Sequence, residues 1–210
     1  RLQEEEGADN SHSNERVGYV AIEAGTGNAA GTAYRVGRTG ERISEAFASI
    51  NLGTGFDAPP AFLAAMQTTT GADPAGLRFR NLDKNSVQVF VEEEQSADAE
   101  TSHSDENVGF AAFEIGAIVG QPVEVLGESG KTRVDQDWKT IQLQNVYVDP
   151  VVIASPASFD GSDPVTVRVR NVTSNSFQVR LQEWDYDDGN HSLETVSYLV
   201  VEKGSYALPD

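Results

Sequence analysis

Residues Glu183 to Gly204 read EWDYDDGNHSLETVSYLVVEKG, and the chain carries this stretch three times. The second copy is Glu93 to Gly116, EEQSADAETSHSDENVGFAAFEIG, and the first is Glu4 to Gly25, EEEGADNSHSNERVGYVAIEAG. Aligned on the histidine, each copy has Glu at +3, Val at +5, Tyr or Phe at +7, Glu at +11 and Gly at +13. The series are His12, Glu15, Val17, Tyr19, Glu23, Gly25; His103, Glu106, Val108, Phe110, Glu114, Gly116; and His191, Glu194, Val196, Tyr198, Glu202, Gly204. An acid also stands three places before each histidine, as Asp9, Glu100 and Asp188. Upstream, Asp163 to Val172 (DPVTVRVRNV) matches Asp73 to Leu82 (DPAGLRFRNL) position by position. The histidines lie 91 and 88 residues apart, near the size of a small β-sandwich and well above the periods of solenoid repeats.

The duplication divides the 210 residues into two complete repeats, at about 30–116 and 120–204, preceded at 1–25 by the C-terminal remnant of another. Each is large enough for its own core. A net charge of −18 and a pI near 4.4 argue against nucleic acid and anionic membranes, which require clustered Lys and Arg. Cations and neutral sugars remain open. With no cysteine, redox compartment is not legible. No apolar run reaches the roughly 20 residues of a membrane span and no leader is seen, so the expectation is a mature chain or one cut from a longer one, without membrane insertion.

Strand patterning runs throughout. Phe177, Val179 and Leu181 alternate with Gln178, Arg180 and Gln182, which predicts a strand with one buried and one wet face. Hairpins with long polar tips are expected at 1–5 with 16–23, at Val87–Glu93 with Asn107–Glu114, and at Phe177–Trp184 with Thr195–Glu202. Gly25–Gly40 and Gly116–Gly130 read as equivalent linkers. Each repeat then opens on a strand with an aromatic anchor, Phe47 or Trp138, and continues into an apolar strand, Ala61–Met66 or Val151–Ile153. The first of these is helical by propensity, but its counterpart is β-branched, and equivalent positions share one structure.

The order of features in the last repeat resembles the H-type lectin family: the Trp138 strand, Asp149-Pro150 with its apolar strand, a turn at Phe159-Asp160-Gly161, the Arg168/Arg170 strand, Asn171-Val172-Thr173 before Phe177, then Trp184 and Tyr198. The resemblance covers about 47–114 and 138–202. It implies an all-β fold of two tandem antiparallel β-sandwiches of about six strands each, preceded by an orphan β-hairpin, and it implies sugar binding and oligomerisation. In that family an arginine opening the Arg strand and a histidine just after the tryptophan hold the sugar. Here those positions are Pro164 and Asp185, or Pro74 and Gln95, so the sugar ligands are not carried over. The loop is instead longer and acidic.

Two chemistries suit that loop. Glu183, Asp187, Asp188, His191 and Glu194, with Glu93, Asp98, Glu100, His103 and Glu106 as equivalents, offer oxygens that suit Ca²⁺, while the histidine would also suit Zn²⁺. The competing reading pairs Glu183 and Glu202 with Arg168 or Arg170 and uses the histidine as a loop cap. Trp184, Tyr186, Asp185 and Asp188 form a candidate sugar platform, against a simple role of Trp184 in covering the sheet edge. Gly127 to Thr132 (GESGKT) lacks the leading glycine of a phosphate loop, and no nucleophile stands in an elbow, so an enzyme is not expected. The functional reading is a non-catalytic, carbohydrate-recognising module of a larger extracellular or cell-surface protein, with glycans and further copies of itself as partners. Its alternative is a structural repeat of an adhesin stalk or filament assembled head-to-tail. Residues 1–25, lacking the strands that would cover Val17, Tyr19 and Ala21, are expected to borrow strands from elsewhere.

Overall fold

The computed structural model describes residues 3–9, 11–29, 31–120 and 124–208. Among them every regular element is a strand, and all pairings but one are antiparallel. The first repeat supplies β1 (Gly25–Ala29), β2 (Thr32–Ile43), β3 (Ala48–Asn51), β4 (Ala61–Met66), β5 (Ala75–Arg80), β6 (Ser86–Glu93) and β7 (Glu106–Phe113). The second supplies β8 (Gly116–Gly120), β9 (Glu124–Val134), β10 (Lys139–Gln142), β11 (Pro150–Ile153), β12 (Ala157–Ser158), β13 (Val165–Arg170), β14 (Ser176–Glu183) and β15 (Glu194–Glu202).

The duplication extends to the pairing. In the first repeat the orders are β1-β2-β7-β4 and β3-β6-β5; in the second, β8-β9-β15 with β11 and β12 on β15, and β10-β14-β13. Within each repeat the two layers face one another across one apolar cluster. Phe62, Ala64, Val108, Phe110 and Ala112 meet Ile50, Leu77, Phe79, Val87, Val89 and Val91 in the first. Val134, Val196 and Val200 meet Ile141, Val165, Phe177, Val179 and Leu181 in the second. Alternate residues face inward because the side-chain period of a strand is two.

The expected hairpins do not form. β6 pairs with β3 and β5, whereas β7 pairs with β2 and β4; β14 and β15 are likewise in separate layers. The polar loops 94–105 and 184–193 therefore cross from one layer to the other. Alternation shows which face of a strand is buried, but it is silent about the neighbour that completes the ladder.

Nor are the glycine-rich stretches linkers: they are the hairpins β1–β2 and β8–β9. Three of their glycines, Gly27, Gly37 and Gly130, lie under aromatic rings of the facing strand. Gly37 is registered against Phe110, and a Cβ there would fall 2.9 Å from the ring. A bare backbone lets the ring lie flat on the sheet. Asn81 and Asn171 adopt φ of 51° and 50°, the left-handed region asparagine tolerates, and each donates its amide to Gln88 or Gln178.

The orphan hairpin is a further correction. Residues 3–9 and 11–23 form no strand. The segment lies over the seam between the repeats instead. Its Val20 and Ile22 pack on Leu63, Phe113, Ile118 and Leu199, while Val17 and Tyr19 stay exposed.

Candidate functional site: the crossover loops and the inter-repeat junction

Each crossover loop delivers the motif glutamate to the start of the last strand of its repeat, where it pins the loop that precedes the Arg strand. Glu106 accepts the hydroxyl of Thr68 and the amides of Thr70 (2.6 Å) and Gly71 (3.2 Å). Glu194 accepts the Ser158 hydroxyl (2.5 Å) and the amides of Asp160 (2.9 Å) and Gly161 (2.6 Å). The histidine three residues earlier lies over the same glycine: a Cβ on Gly161 would fall 2.7 Å from His191, and Gly71 is as close under His103. His103 places Nδ1 2.6 Å from Glu93 and Nε2 3.2 Å from Glu106. His191 places its nitrogens on the carbonyls of Ser192 (2.9 Å) and Asp163 (3.0 Å). The expected His-x-x-Glu metal set thus resolves, for Glu106, Glu194 and both histidines, into a loop clamp whose donors and acceptors are already satisfied.

The second clamp carries an extra cation from the other repeat. Arg78 of β5 is fully buried. Its Nε donates to Ser158 O (2.7 Å), Nη1 to Glu92 Oε2 (2.8 Å) and Asp163 O (3.2 Å), and Nη2 to Gly161 O (3.3 Å) and Glu194 Oε1 (2.8 Å). Phe159 packs on the Phe47–Phe90 pair, its ring centroid 5.7 and 5.1 Å from theirs. Beside it β12 joins β5 as the one parallel pairing, Ala157 against Arg78. Arg78 is repeat-equivalent to Arg168, and Arg168 meets Glu15 at 3.0 Å with both side chains 40% exposed. In both pairs an arginine at the same repeat position meets the motif glutamate of a different repeat. The expected partnership of Arg168 or Arg170 with Glu183 and Glu202 does not occur. Arg170 stacks on Trp138 at 3.9 Å, and Glu202 accepts the amides of Val148 and Asp149.

On the other side of each crossover loop the remaining acids gather. In the first repeat carboxylate oxygens of Asp73, Glu93 and Glu100 lie within 4.8 Å of one another. Asp98 stands apart as a turn acceptor for the Glu100 amide (2.9 Å). In the second repeat Glu183, Trp184, Asp185, Asp187 and Asp188 line an open cleft of ≈ 300 Å³ with Gln136 and Arg180. Tyr186, grouped with them by sequence, turns to the first repeat, where its hydroxyl accepts the Gln95 amide (3.1 Å). Asp73 and Asp163 were not among the sequence candidates. The signal was present, since Thr68 to Pro74 and Ser158 to Pro164 share a Ser/Thr-x-x-Gly-x-Asp-Pro pattern, and it marks both the clamped loop and the acid after it.

The carboxylates fall into two classes. Burial pushes Glu92 up, with Arg78 only partly offsetting it, and burial also raises Glu93 and Asp187, helped by neighbouring acids. Crowding against Asp73 pushes Glu6 up to about 7. At Glu106 burial pushes upward too, but the bonds from Thr68, Thr70, Gly71 and His103 outweigh it and hold the carboxyl below its ordinary value. The raised group takes up protons in the folded state before the unfolded chain does, so lowering the pH from 7 toward the ordinary carboxylate range stabilises the fold. Glu106 has the opposite sign: its contribution is present above its unfolded pKa and is lost as the pH falls through its lower folded one. Melting temperature at constant ionic strength is therefore expected to peak at mildly acidic pH and fall below it. A steady decline from pH 8 downward contradicts this assignment.

The chain is similar to halomucin from Haloquadratum walsbyi, with 38% identity over 108 residues. The match spans 51% of this chain and 1% of halomucin. No protein-family model matches the sequence, and no solved structure matches it.

Proposed function

We propose that the chain is a non-catalytic structural segment of a repetitive cell-surface or secreted protein, its repeats coupled in line by an arginine of one gripping the motif glutamate of another. The observation that carries the reading is the pairing of Arg78 with Glu194 and of Arg168 with Glu15, four residues that reduce to two repeat positions. The match to a protein named as a mucin, of which it covers one part in a hundred, supports both the extracellular placement and the repetitive setting. In the finer form of the reading each repeat is a lectin-type β-sandwich. Among the described residues β13 has a strand on one side only, whereas its counterpart β5 is joined on that side by β12. The free side of β13 is where the Ser/Thr-x-x-Gly loop of a further repeat would sit.

The test uses Glu15→Ala in the full chain, which releases Arg168 and the β13 edge. Sedimentation velocity is expected to show association that grows with concentration and is abolished by adding Arg168→Glu. A Glu15→Ala chain that stays monomeric at every concentration sinks the coupling reading.

A second reading, carbohydrate recognition, is favoured by the cleft itself, where Trp184 stands beside the carboxylates of Asp185 and Asp188, a combination suited to gripping a pyranose ring. It requires glycan-array binding that Trp184→Ala removes. An array without hits ends it.

A further inference from the structure

The acids on the outer side of the crossover loops are not used by the junction, and their partners are incomplete. Glu183 is 7% exposed, yet neither of its oxygens has a hydrogen-bond partner among the described residues, and Asp187 Oδ2 is likewise buried and unpartnered. An ionised carboxylate without partners is among the most costly groups to bury. Both line the same cleft as Asp188. Asp163, at the repeat position of Asp73, is close enough to Asp187 to repel it together with Glu183 and Asp188. His191 does not reach these acids: its two nitrogens lie against the carbonyls of Ser192 and Asp163. In the first repeat, Asp73, Glu93 and Glu100 occupy the equivalent positions and bring three oxygens within 4.8 Å of one another. Oxygens bound at about 2.3–2.6 Å to one ion lie up to twice that distance apart, so this spread fits a shared calcium-sized cation.

We propose that each complete repeat binds one calcium-type divalent cation, through Asp73, Glu93 and Glu100 in the first and through Asp163, Glu183 and Asp188, joined by Asp187, in the second. The donor set is oxygen-only, which selects a hard cation over zinc. It keeps Glu93, Glu100, Glu183, Asp187 and Asp188 of the set expected from sequence, adds Asp73 and Asp163, and leaves out Asp98 and the motif histidine and glutamate: those two hold the loop in shape, His103 also orienting Glu93 through Nδ1. In the second site the buried acid, Glu183, has no partner among the described residues, and there the ion supplies the counter-charge that the protein does not. The inference is independent of how repeats couple, since no carboxylate in either site contacts Arg78 or Arg168; Arg78 meets Asp163 only at its backbone carbonyl.

Calorimetric titration of calcium chloride into the full chain, freed of divalent ions, is expected to show two sites per chain. Saturation raises the melting temperature by about 5 °C or more. Magnesium, which demands shorter and more regular bonds, gives a smaller rise at equal ionic strength. Glu183→Gln reduces the stoichiometry to one and Asp73→Asn with Glu183→Gln to none. The metal-free melting temperature of Glu183→Gln should equal or exceed that of the parent, because a buried unpaired charge has been removed. Asp188→Asn, at an exposed position that does not endanger folding, weakens the second site at least tenfold. The proposal is overturned by the absence of saturable heat, by a melting shift that potassium chloride of equal ionic strength reproduces, by two sites persisting in the double variant, or by a metal-free Glu183→Gln chain that melts below the parent.

Discussion

Replacing Arg78 by Ala is expected to lower the stability of the whole chain by about 3–5 kcal/mol, the usual cost of breaking a buried ion pair by removing one partner. For a chain of this length that is a fall of roughly 10 °C or more in melting temperature. The loss comes less from the missing contacts than from what stays behind. Glu92 and Glu194 remain buried with no cation between them, and the carbonyls of Ser158, Gly161 and Asp163 lose their donor. Arg78→Met should do little better, since restoring volume does not restore charge. Arg78→Met combined with Glu92→Gln and Glu194→Gln should recover a large part of the loss. Arg168→Ala, at the equivalent but exposed position, should cost less than about 1 kcal/mol. Urea unfolding of these four variants is decisive: equal effects at Arg78 and Arg168 would remove the physical basis for a specific inter-repeat junction.

Glu194→Ala should follow closely, and comparison with Glu106→Ala separates its two roles. Both substitutions release a clamped loop, stripping the acceptor from two amides and a hydroxyl, a loss of about 1–3 kcal/mol. Only Glu194→Ala also leaves Arg78 with one carboxylate fewer. The difference between the two variants therefore reports the cross-repeat bond, and a double-mutant cycle with Arg78→Ala isolates it, with an expected coupling of about 1–3 kcal/mol. No coupling in that cycle, or a costlier Glu106→Ala, would place the whole effect in the loop.

The two effects also explain why the motif recurs as a unit. His103 and His191 cover a glycine that cannot carry a Cβ, and the glutamate three residues later fixes the amides of that glycine and of the residue before it. The shaped loop is then presented at the edge of the repeat. At the second copy it receives Arg78; at the first, no arginine of the described residues reaches Glu106, whose charge faces His103 instead.

Some of this was legible in the sequence. The repeat itself, the all-strand character and the strand at Ala61–Met66 follow from local patterns, because period-two burial acts within a few residues. Which strands are neighbours did not follow: a half-buried strand reads the same whether it pairs across its own loop or with a strand forty residues away, and the hairpin expectation failed there. The glycine-rich stretches Gly25–Gly40 and Gly116–Gly130 misled for a related reason, since a glycine under a cross-strand ring looks like a linker glycine until the ring is in place. Only the tertiary structure divided the loop acids into a satisfied clamp at Glu106 and Glu194 and an unsatisfied group at Glu183, Asp187 and Asp188. That division depends on which backbone amides and which arginine arrive from distant segments, and burial and partners, rather than residue type, decide what a carboxylate does.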